Sequence, residues 1–349
     1  MRALTVVPGR ADSARLDEVD EPDPSEGALL VRTLAIGVCG TDREILQGVY
    51  GAAPAGSERL IIGHESLGEV LAAPPGSGFS PGDMVVGIVR RPDPVPCASC
   101  AAGEWDMCLN GRYSERGIKA RHGFGSTFFR IDPDHAVGVD RALGTLGVLL
   151  EPASVLAKAW EQIERIGRRA AAWQPRSVLV TGAGPVGLLA AMMGAQRGLE
   201  VHMFDRATGG IKPELVRDLG ATYCSGSLDR LALRPDIVIE CTGASAVVLD
   251  AVRRTSPLGV TCLTGIPDRH ERTALDLGLL SRKIVLENDV VFGSVNANRR
   301  HYEAAARSLA SADRAWLARL ITRRVPLQRW QEAFGKEHDD VKVVIDFSS

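Results

Sequence analysis

Up to about residue 150, apolar positions come in short bursts cut by glycine and proline, as in residues 28–32, 68–71 and 83–89. Short β-prone runs with frequent turns predict a β-barrel or irregular β domain, beginning with a first strand at Met1-Arg2-Ala3-Leu4-Thr5-Val6-Val7. From about Gln174 the pattern changes. Ser177-Val178-Leu179-Val180-Thr181 reads as a buried strand, followed by a glycine-rich turn and an apolar helix over 185–197 that Gly198 ends. Strands are then expected at 200–205, 236–241 and 260–264, with helices at 213–219 and 245–254 between them. Strand–helix alternation at this spacing predicts a parallel sheet covered on both faces. Beyond Asn296 the pattern gives two amphipathic helices and a last strand over 342–347, and a charged helix over 158–169 reads as the candidate linker.

A chain of 349 residues exceeds the roughly 250 at which one hydrophobic core stops growing, so two domains are expected. Its net charge of −2 supplies no field to hold a phosphate backbone, which argues against nucleic acid. No uninterrupted apolar run reaches membrane-spanning length, and the N-terminal residues lack the plan of a signal peptide. A cytoplasmic protein with reduced thiols is therefore expected. Three of its seven cysteines crowd between Cys97 and Cys108, which favours metal ligation over a disulfide framework.

Two constellations carry chemistry. Gly182-Ala183-Gly184-Pro185-Val186-Gly187 joins a predicted strand to a predicted helix with G-x-G-x-x-G spacing. Such a loop turns tightly at its first glycine, lets a pyrophosphate approach at the second and packs helix on strand at the third. Asp205 ends the next strand, where an acid accepts the ribose hydroxyls of a dinucleotide. Its charge would repel a 2′-phosphate, so NAD is expected to be preferred, while Arg206 beside it pulls the other way and makes use of both NAD and NADP the alternative. Thr242 and the pair Gly265-Ile266 close later strands at the carboxyl edge of the sheet. The second constellation is Cys39 in Gly37-Val38-Cys39-Gly40-Thr41-Asp42, His64 and Glu65 in Gly63-His64-Glu65, and Glu151 in Glu151-Pro152-Ala153. A thiolate, an imidazole and one or two carboxylates suit zinc and leave a coordination position open.

On these segments, together with Phe79-Ser80-Pro81-Gly82-Asp83-Met84-Val85, the chain resembles the zinc-containing medium-chain dehydrogenase/reductase family along essentially its whole length. Residues 39–45, Glu115-Arg116-Gly117-Ile118, His122-Gly123-Phe124 and Gly293-Ser294-Val295-Asn296 make it similar to the archaeal-type glucose dehydrogenases within that family. The resemblance implies a GroES-like β-barrel catalytic domain from residues 1–157 and 297–349. A Rossmann domain with a doubly wound parallel sheet is implied over 158–296, and a homodimer or homotetramer as the assembly. It implies catalytic zinc on Cys39 and His64, with Glu65 and Glu151 as exchanging ligands, Thr41 receiving the substrate's proton and Asp42 orienting His64. Thr41, Glu115, Glu151 and Asn296 are the implied substrate contacts, and Ser294 and Asn296 extend the cofactor set. Cys97, Cys100 and Cys108 resemble a structural zinc lobe in which Pro94 replaces one thiolate, leaving Asp93 or water as fourth ligand.

The activity implied is oxidation of a hydroxyl on a glucose-like aldose, aminosugar or cyclitol by NAD(P). This chain departs from some glucose enzymes at Val155, where they carry a carboxylate, and has Glu44 where many relatives have a relay histidine. The rival readings are a zinc-free quinone or enoyl reductase of the same fold, against which the ligand set speaks, and a nucleotide-binding protein without turnover.

Overall fold

The computed structural model describes residues 1–228, 231–267, 273–335 and 337–348. The chain divides into two compact units, Met1–Ser154 with Asn296–Ser349, and Val155–Val295. The unit boundaries fall at 154/155 and 295/296 rather than the expected 157/158 and 296/297, so Asn296 belongs to the first unit.

In the first unit the long strand Leu29–Val38 organises the main sheet. It pairs antiparallel with Glu65–Ala72 on one side and with Lys342–Asp346 on the other, while Phe128–Ile131 joins its first half. Leu29, Val31, Ala35 and Ile36 are buried, as a strand packed on both faces over part of its length requires. Val31, Val70 and Phe129 from these strands form one cluster with Val85 and Phe124. Leu4, Val38, Ile45, Ile62, Val343 and Trp330 belong to another. A small separate sheet joins Arg90–Arg91, Ser114–Arg116 and Ala120–Arg121.

Among the described residues of the second unit, six strands form one wholly parallel sheet. Numbered along this unit from Ser177–Thr181, their spatial order is 3-2-1-4-5-6, so the chain leaves Ser177–Thr181 in opposite directions on either side. That reversal opens the crevice in which doubly wound sheets bind dinucleotides. The central strand is buried at every position and the helix Pro185–Gln196 is buried through most of its length.

The charged helix expected over 158–169 is the body of a longer helix, Leu150–Gly167, and serves as a core element rather than a linker. Its charges misled: Leu156, Trp160 and Ile163, spaced three and four apart, are fully buried, and so is Lys158. The stretch Arg141–Gly167 is long and apolar enough to cross a bilayer, yet 72% of its most apolar window is buried inside the protein. A core element accounts for that.

Candidate functional site

In the first unit, Cys39 caps the helix Gly40–Leu46. Its Sγ accepts the Thr41 N–H at 3.2 Å while its own N–H donates to Asp42 at 2.9 Å. This reciprocal cap fixes the thiol at the end of the Leu29–Val38 strand. Glu65 opens the neighbouring strand opposite Gly37, and His64 immediately precedes it. Ligand atoms of Cys39, His64 and Glu65 lie within 4.8 Å of one another. A side chain at Gly37 would place its Cβ 2.1 Å from Glu65 Oε2, so the site exists because that position is glycine.

The electrostatics of this cluster are strongly biased. His64 is buried, which alone would lower its pKa, but the carboxylate of Asp42 and the thiol of Cys39 hold it well above the usual value. Its Nδ1 lies 3.2 Å from Asp42 Oδ1, so a buried carboxylate oxygen and a buried ring nitrogen face each other. Glu151, half-buried in the first turn of the helix Leu150–Gly167, is pushed up to about 7 by desolvation and Glu65, against the pull of His64 and Lys342. Lys342 has no counterpart in the sequence reading. It donates to Glu65 Oε1 at 2.7 Å, contacts Oε2 as well and reaches the Val38 carbonyl at 3.2 Å. The signal that could have found it is a lysine opening an otherwise apolar strand, Lys342-Val343-Val344-Ile345. Thiol, imidazole and carboxylates of this kind fit zinc, with Asp42 behind the imidazole and Lys342 behind the carboxylate as outer partners. Thr41 is half-buried next to Cys39, and Glu44, one turn on, is exposed.

Glu115 is buried rather than a solvated loop charge. Its Oε1 accepts both Arg90 Nε and Nη2, at 3.1 and 2.9 Å, and Asn296 Nδ2 at 2.8 Å. Asn296 is held with φ +64 by a hydrogen bond from the Ala297 N–H to its Oδ1. The structure therefore joins Glu115 and Asn296 through one oxygen, and no hydrogen bond to Glu115 Oε2 is formed among the described residues. Arg90, which also donates to the Asp106 carbonyl at 3.0 Å, is the partner that sequence reasoning missed.

The Sγ atoms of Cys97, Cys100 and Cys108 also gather within 4.8 Å. N–H donors of Leu109 and Cys100 lower the Cys97 thiol to about 6, whereas burial raises that of Cys100. Asp93, the expected fourth ligand, is not part of that group. Its carboxylate oxygens are taken by the Val95 N–H and the Asn110 side-chain amide. All seven cysteines are free thiols.

In the second unit, Gly182 (φ +90) and Gly187 make the turn. A Cβ at Gly187 would lie 1.8 Å from the Gly182 carbonyl oxygen, whereas one at Gly184 would meet nothing within 4 Å. The glycine expected to face a pyrophosphate thus faces open space. Pro185 starts the helix and Val186 follows in its first turn. Asp205 accepts the Ala183 N–H at 2.7 Å and the Ala207 N–H at 2.9 Å, so it braces the loop while Arg206 is exposed. Thr242 and Gly265-Ile266 are organised by Glu240, another residue missed in the sequence. This fully buried carboxylate accepts from Thr242 N–H at 2.7 Å, Thr181 Oγ1 at 3.2 Å and Gly243 N–H at 3.1 Å. An acid closing the apolar run Ile237-Val238-Ile239 was its signal. Ser294 is buried at the end of the Val290–Gly293 strand, with its hydroxyl unpartnered.

Comparison with known proteins gives two family matches, an alcohol dehydrogenase GroES-like domain over residues 25–141 and a glucose dehydrogenase C-terminus over 144–347. The chain is 42% identical to the glucose 1-dehydrogenase of Thermoproteus tenax, covering 99% of each chain, and 38% identical to that of Methanocella arvoryzae over 100% of each. Among solved structures it superposes on glucose dehydrogenase from Haloferax mediterranei, in complex with NADP, Zn and gluconolactone. The TM-score is 0.91 at 32% identity over 100% of both chains.

Proposed function

From the premise that this chain belongs to the glucose dehydrogenase family of zinc-type medium-chain dehydrogenases, we propose that it oxidises a ring hydroxyl of a glucose-like aldose at the Cys39–His64–Glu65 cluster. It is a zinc-dependent oxidoreductase that uses NAD(P). The observation that carries the site assignment is the convergence of Cys39, His64 and Glu65 within 4.8 Å, with Glu151 electrostatically coupled to them. Bound there, zinc supplies Lewis acidity that lowers the pKa of a hydroxyl, and NAD(P) accepts the hydride.

The residues of this chain do the rest. Cys39 and His64 hold the metal, with Glu65 and Glu151 exchanging as further ligands, and Asp42 keeps the His64 ring oriented. Thr41 relays the proton of the reacting hydroxyl, accepting it as its own hydroxyl proton passes on to solvent. Glu115, with Oε2 uncommitted, and Asn296 bind neighbouring sugar hydroxyls. A substrate without those hydroxyls leaves these groups unpaired, at about 1–3 kcal/mol each. Gly182 to Gly187 cradle the pyrophosphate, and Asp205 receives the adenosine ribose. NAD is preferred because the Asp205 carboxylate repels a 2′-phosphate, while the exposed guanidinium of Arg206 leaves NADP usable. Cys97, Cys100 and Cys108 hold a second, structural zinc whose fourth position falls to water or to a rearranged Asp93.

The enzyme works in the cytoplasm, where its thiols stay reduced, as an assembly of two or four copies. Support for assembly comes from the helix Leu277–Glu287, in which Leu277, Leu279, Val285 and Leu286 are exposed and no residue is buried. Apolar surface of that extent marks a protein contact.

The reading is tested by assaying NADH and NADPH formation over a panel of aldoses, aminosugars, cyclitols and simple alcohols, with zinc measured before and after chelation. Activity should fall and return with zinc, aldoses should far outpace ethanol, and Glu115→Gln should lower kcat/KM on the sugar while sparing residual alcohol turnover. Full activity in zinc-free Cys39→Ser protein, or equal losses on both substrate classes in Glu115→Gln, would overturn the assignment.

A further inference from the structure

Arg90 and Glu115 stand directly opposite each other in the small sheet of the first unit, so their side chains share one face and attract across the strand pair. Their contact is one link in a closed ring of hydrogen bonds. Glu115 Oε1 accepts Arg90 Nε and Nη2 together with Asn296 Nδ2. The remaining guanidinium nitrogen, Nη1, donates to the Asp106 carbonyl at 3.0 Å. The buried Asp106 carboxylate, on the turn Trp105–Met107, accepts Asn298 Nδ2 at 2.8 Å. Asn298 lies two residues after Asn296, and the ring closes through that short piece of chain.

Within this ring Arg90 is the most constrained member. It is 5% exposed, its three nitrogens are all engaged, and its Cζ lies 3.7 Å from the centre of the Tyr113 ring. Because a guanidinium is planar, bonds at Nε, Nη1 and Nη2 fix its plane as well as its position. Glutamate is the opposite kind of side chain, long and free to rotate. A ligand that binds such a group must either find its oxygen already in place or bear the cost of ordering it. Three donors on Oε1 restrict where Oε2 can stand, and no hydrogen bond to Oε2 is formed among the described residues. A point charge would neutralise Glu115 equally well. The fork and the stacked face of Arg90 supply direction in addition.

We propose that Arg90 is a positioning residue for sugar selectivity, holding Glu115 so that Oε2 meets one particular hydroxyl of the sugar, while Asp106 and Asn298 keep Arg90 and Asn296 in register with it. The inference rests on the reading of Glu115 and Asn296 as sugar contacts, and Arg90 acts through Glu115 rather than on the substrate. Without Arg90, Glu115 still accepts a hydroxyl, but from several rotamers. Binding of the sugar then weakens, and an analogue lacking the matching hydroxyl is rejected less sharply. An ion pair that served stability alone would behave differently. Its loss would lower the amount of folded enzyme and leave KM and the discrimination between analogues as they were.

The test uses the zinc-loaded full-length enzyme, with glucose and its monodeoxy analogues as substrates. Arg90→Met should raise KM for glucose roughly tenfold or more, with a several-fold smaller change in kcat. It should also narrow the preference for glucose over the analogue that the wild type rejects most strongly. Calorimetric titration of glucose onto the complex with reduced cofactor should show the same loss of affinity. Arg90→Lys keeps the charge without the fork, so it should recover only part of the loss. In a Glu115→Gln background, Arg90→Met should change KM by less than about twofold, because its target is already gone. Wild-type KM and discrimination in Arg90→Lys overturn the proposal, and that variant decides the matter if Arg90→Met fails to fold. Additive losses in the double variant, or equal losses on glucose and on a simple alcohol, mark a structural ion pair and overturn it as well. If Glu115→Gln is impaired on glucose while both Arg90 variants are not, the positioning role alone falls. If Glu115→Gln leaves glucose KM and discrimination intact, the sugar-site reading falls, and this inference with it.

Discussion

Each unit buries a glutamate at a strand end, and the two are neutralised in opposite ways. Glu65 in the first unit is met by a cation, the Lys342 ammonium, with the pair almost wholly shielded from solvent. Glu240 in the second is met by dipoles, the N–H groups of Thr242 and Gly243 and the hydroxyls of Thr181 and Thr242. Both solutions meet the rule that a buried charge must be paired and hydrogen-bonded. They differ in what they allow. A carboxylate held by backbone donors is locked to its loop and acts as a scaffold. One held by a flexible lysine can turn toward another cation, which is what an exchanging metal ligand needs. Each also has a guardian glycine: a Cβ at Gly37 would lie 2.1 Å from Glu65 Oε2, and one at Gly265 would lie 2.8 Å from Glu240 Oε2 and 2.1 Å from the Gly243 nitrogen.

The strongest way to break the comparison is Lys342→Met. It leaves a buried carboxylate without its cation and should cost about 3–5 kcal/mol. Denaturant midpoints report that cost, and zinc added to the variant should recover much of it, because the metal then supplies the positive charge. No recovery with zinc would mean that Glu65 does not face the metal. Gly265→Ala comes next, at about 3 kcal/mol, because the obstacle is backbone and cannot move aside. Its signature is weakened NAD(P) binding with zinc content unchanged. Gly37→Ala meets the far end of a flexible side chain, so about 1–2 kcal/mol is expected. Its larger effect should be on zinc affinity, since Glu65 must swing away, and a titration against a competing chelator reads it.

The smallest effect sharpens the scaffold half of the comparison. Asp236 repeats the dipole solution near solvent, accepting from the N–H groups of Arg176 and Ser177 and from two serine hydroxyls. Burial would raise its pKa, but these bonds, the Arg176 N–H first, hold it below 3.8. A depressed carboxylate stabilises the fold above its unfolded value. The contribution fades as pH falls from there through the lower folded value. Asp236→Asn should therefore cost about 1 kcal/mol at neutral pH, and wild type and variant should converge in stability as the pH falls through the depressed folded value of Asp236. A gap that stays constant into acid would show that Asp236 acts by shape alone.

These contrasts also mark where the sequence was readable. The strand Ser177–Thr181 and the helix beginning at Pro185 follow the predicted pattern to the residue, because local periodicity and glycine punctuation decide them. The helix Leu277–Glu287 escaped notice because its leucines and valines face outward and leave no buried stripe to detect. Cys39, His64 and Glu65 were legible as metal-ligand types, but their meeting depends on long-range strand pairing that no local window contains. Lys342 and Glu240 were harder still. Each is one charge in an apolar run, and what distinguishes it from a solvated residue is a partner supplied by another segment, 277 positions away for Lys342.

That last separation has a kinetic side. The Lys342–Asp346 strand lies inside the first unit's main sheet, between Leu29–Val38 and Ile321–Pro326, rather than at its edge. At about 5–20 residues per second on the ribosome, Glu65 emerges roughly 14–55 s before the lysine that neutralises it. The contiguous second unit is synthesised entirely within that interval. The nascent chain therefore carries a finished nucleotide fold tethered to an open half-barrel whose unpaired strand edge invites non-native pairing until the 342–346 segment arrives. A pulse-proteolysis series on stalled chains should find Val155–Val295 protected well before Leu29–Val38.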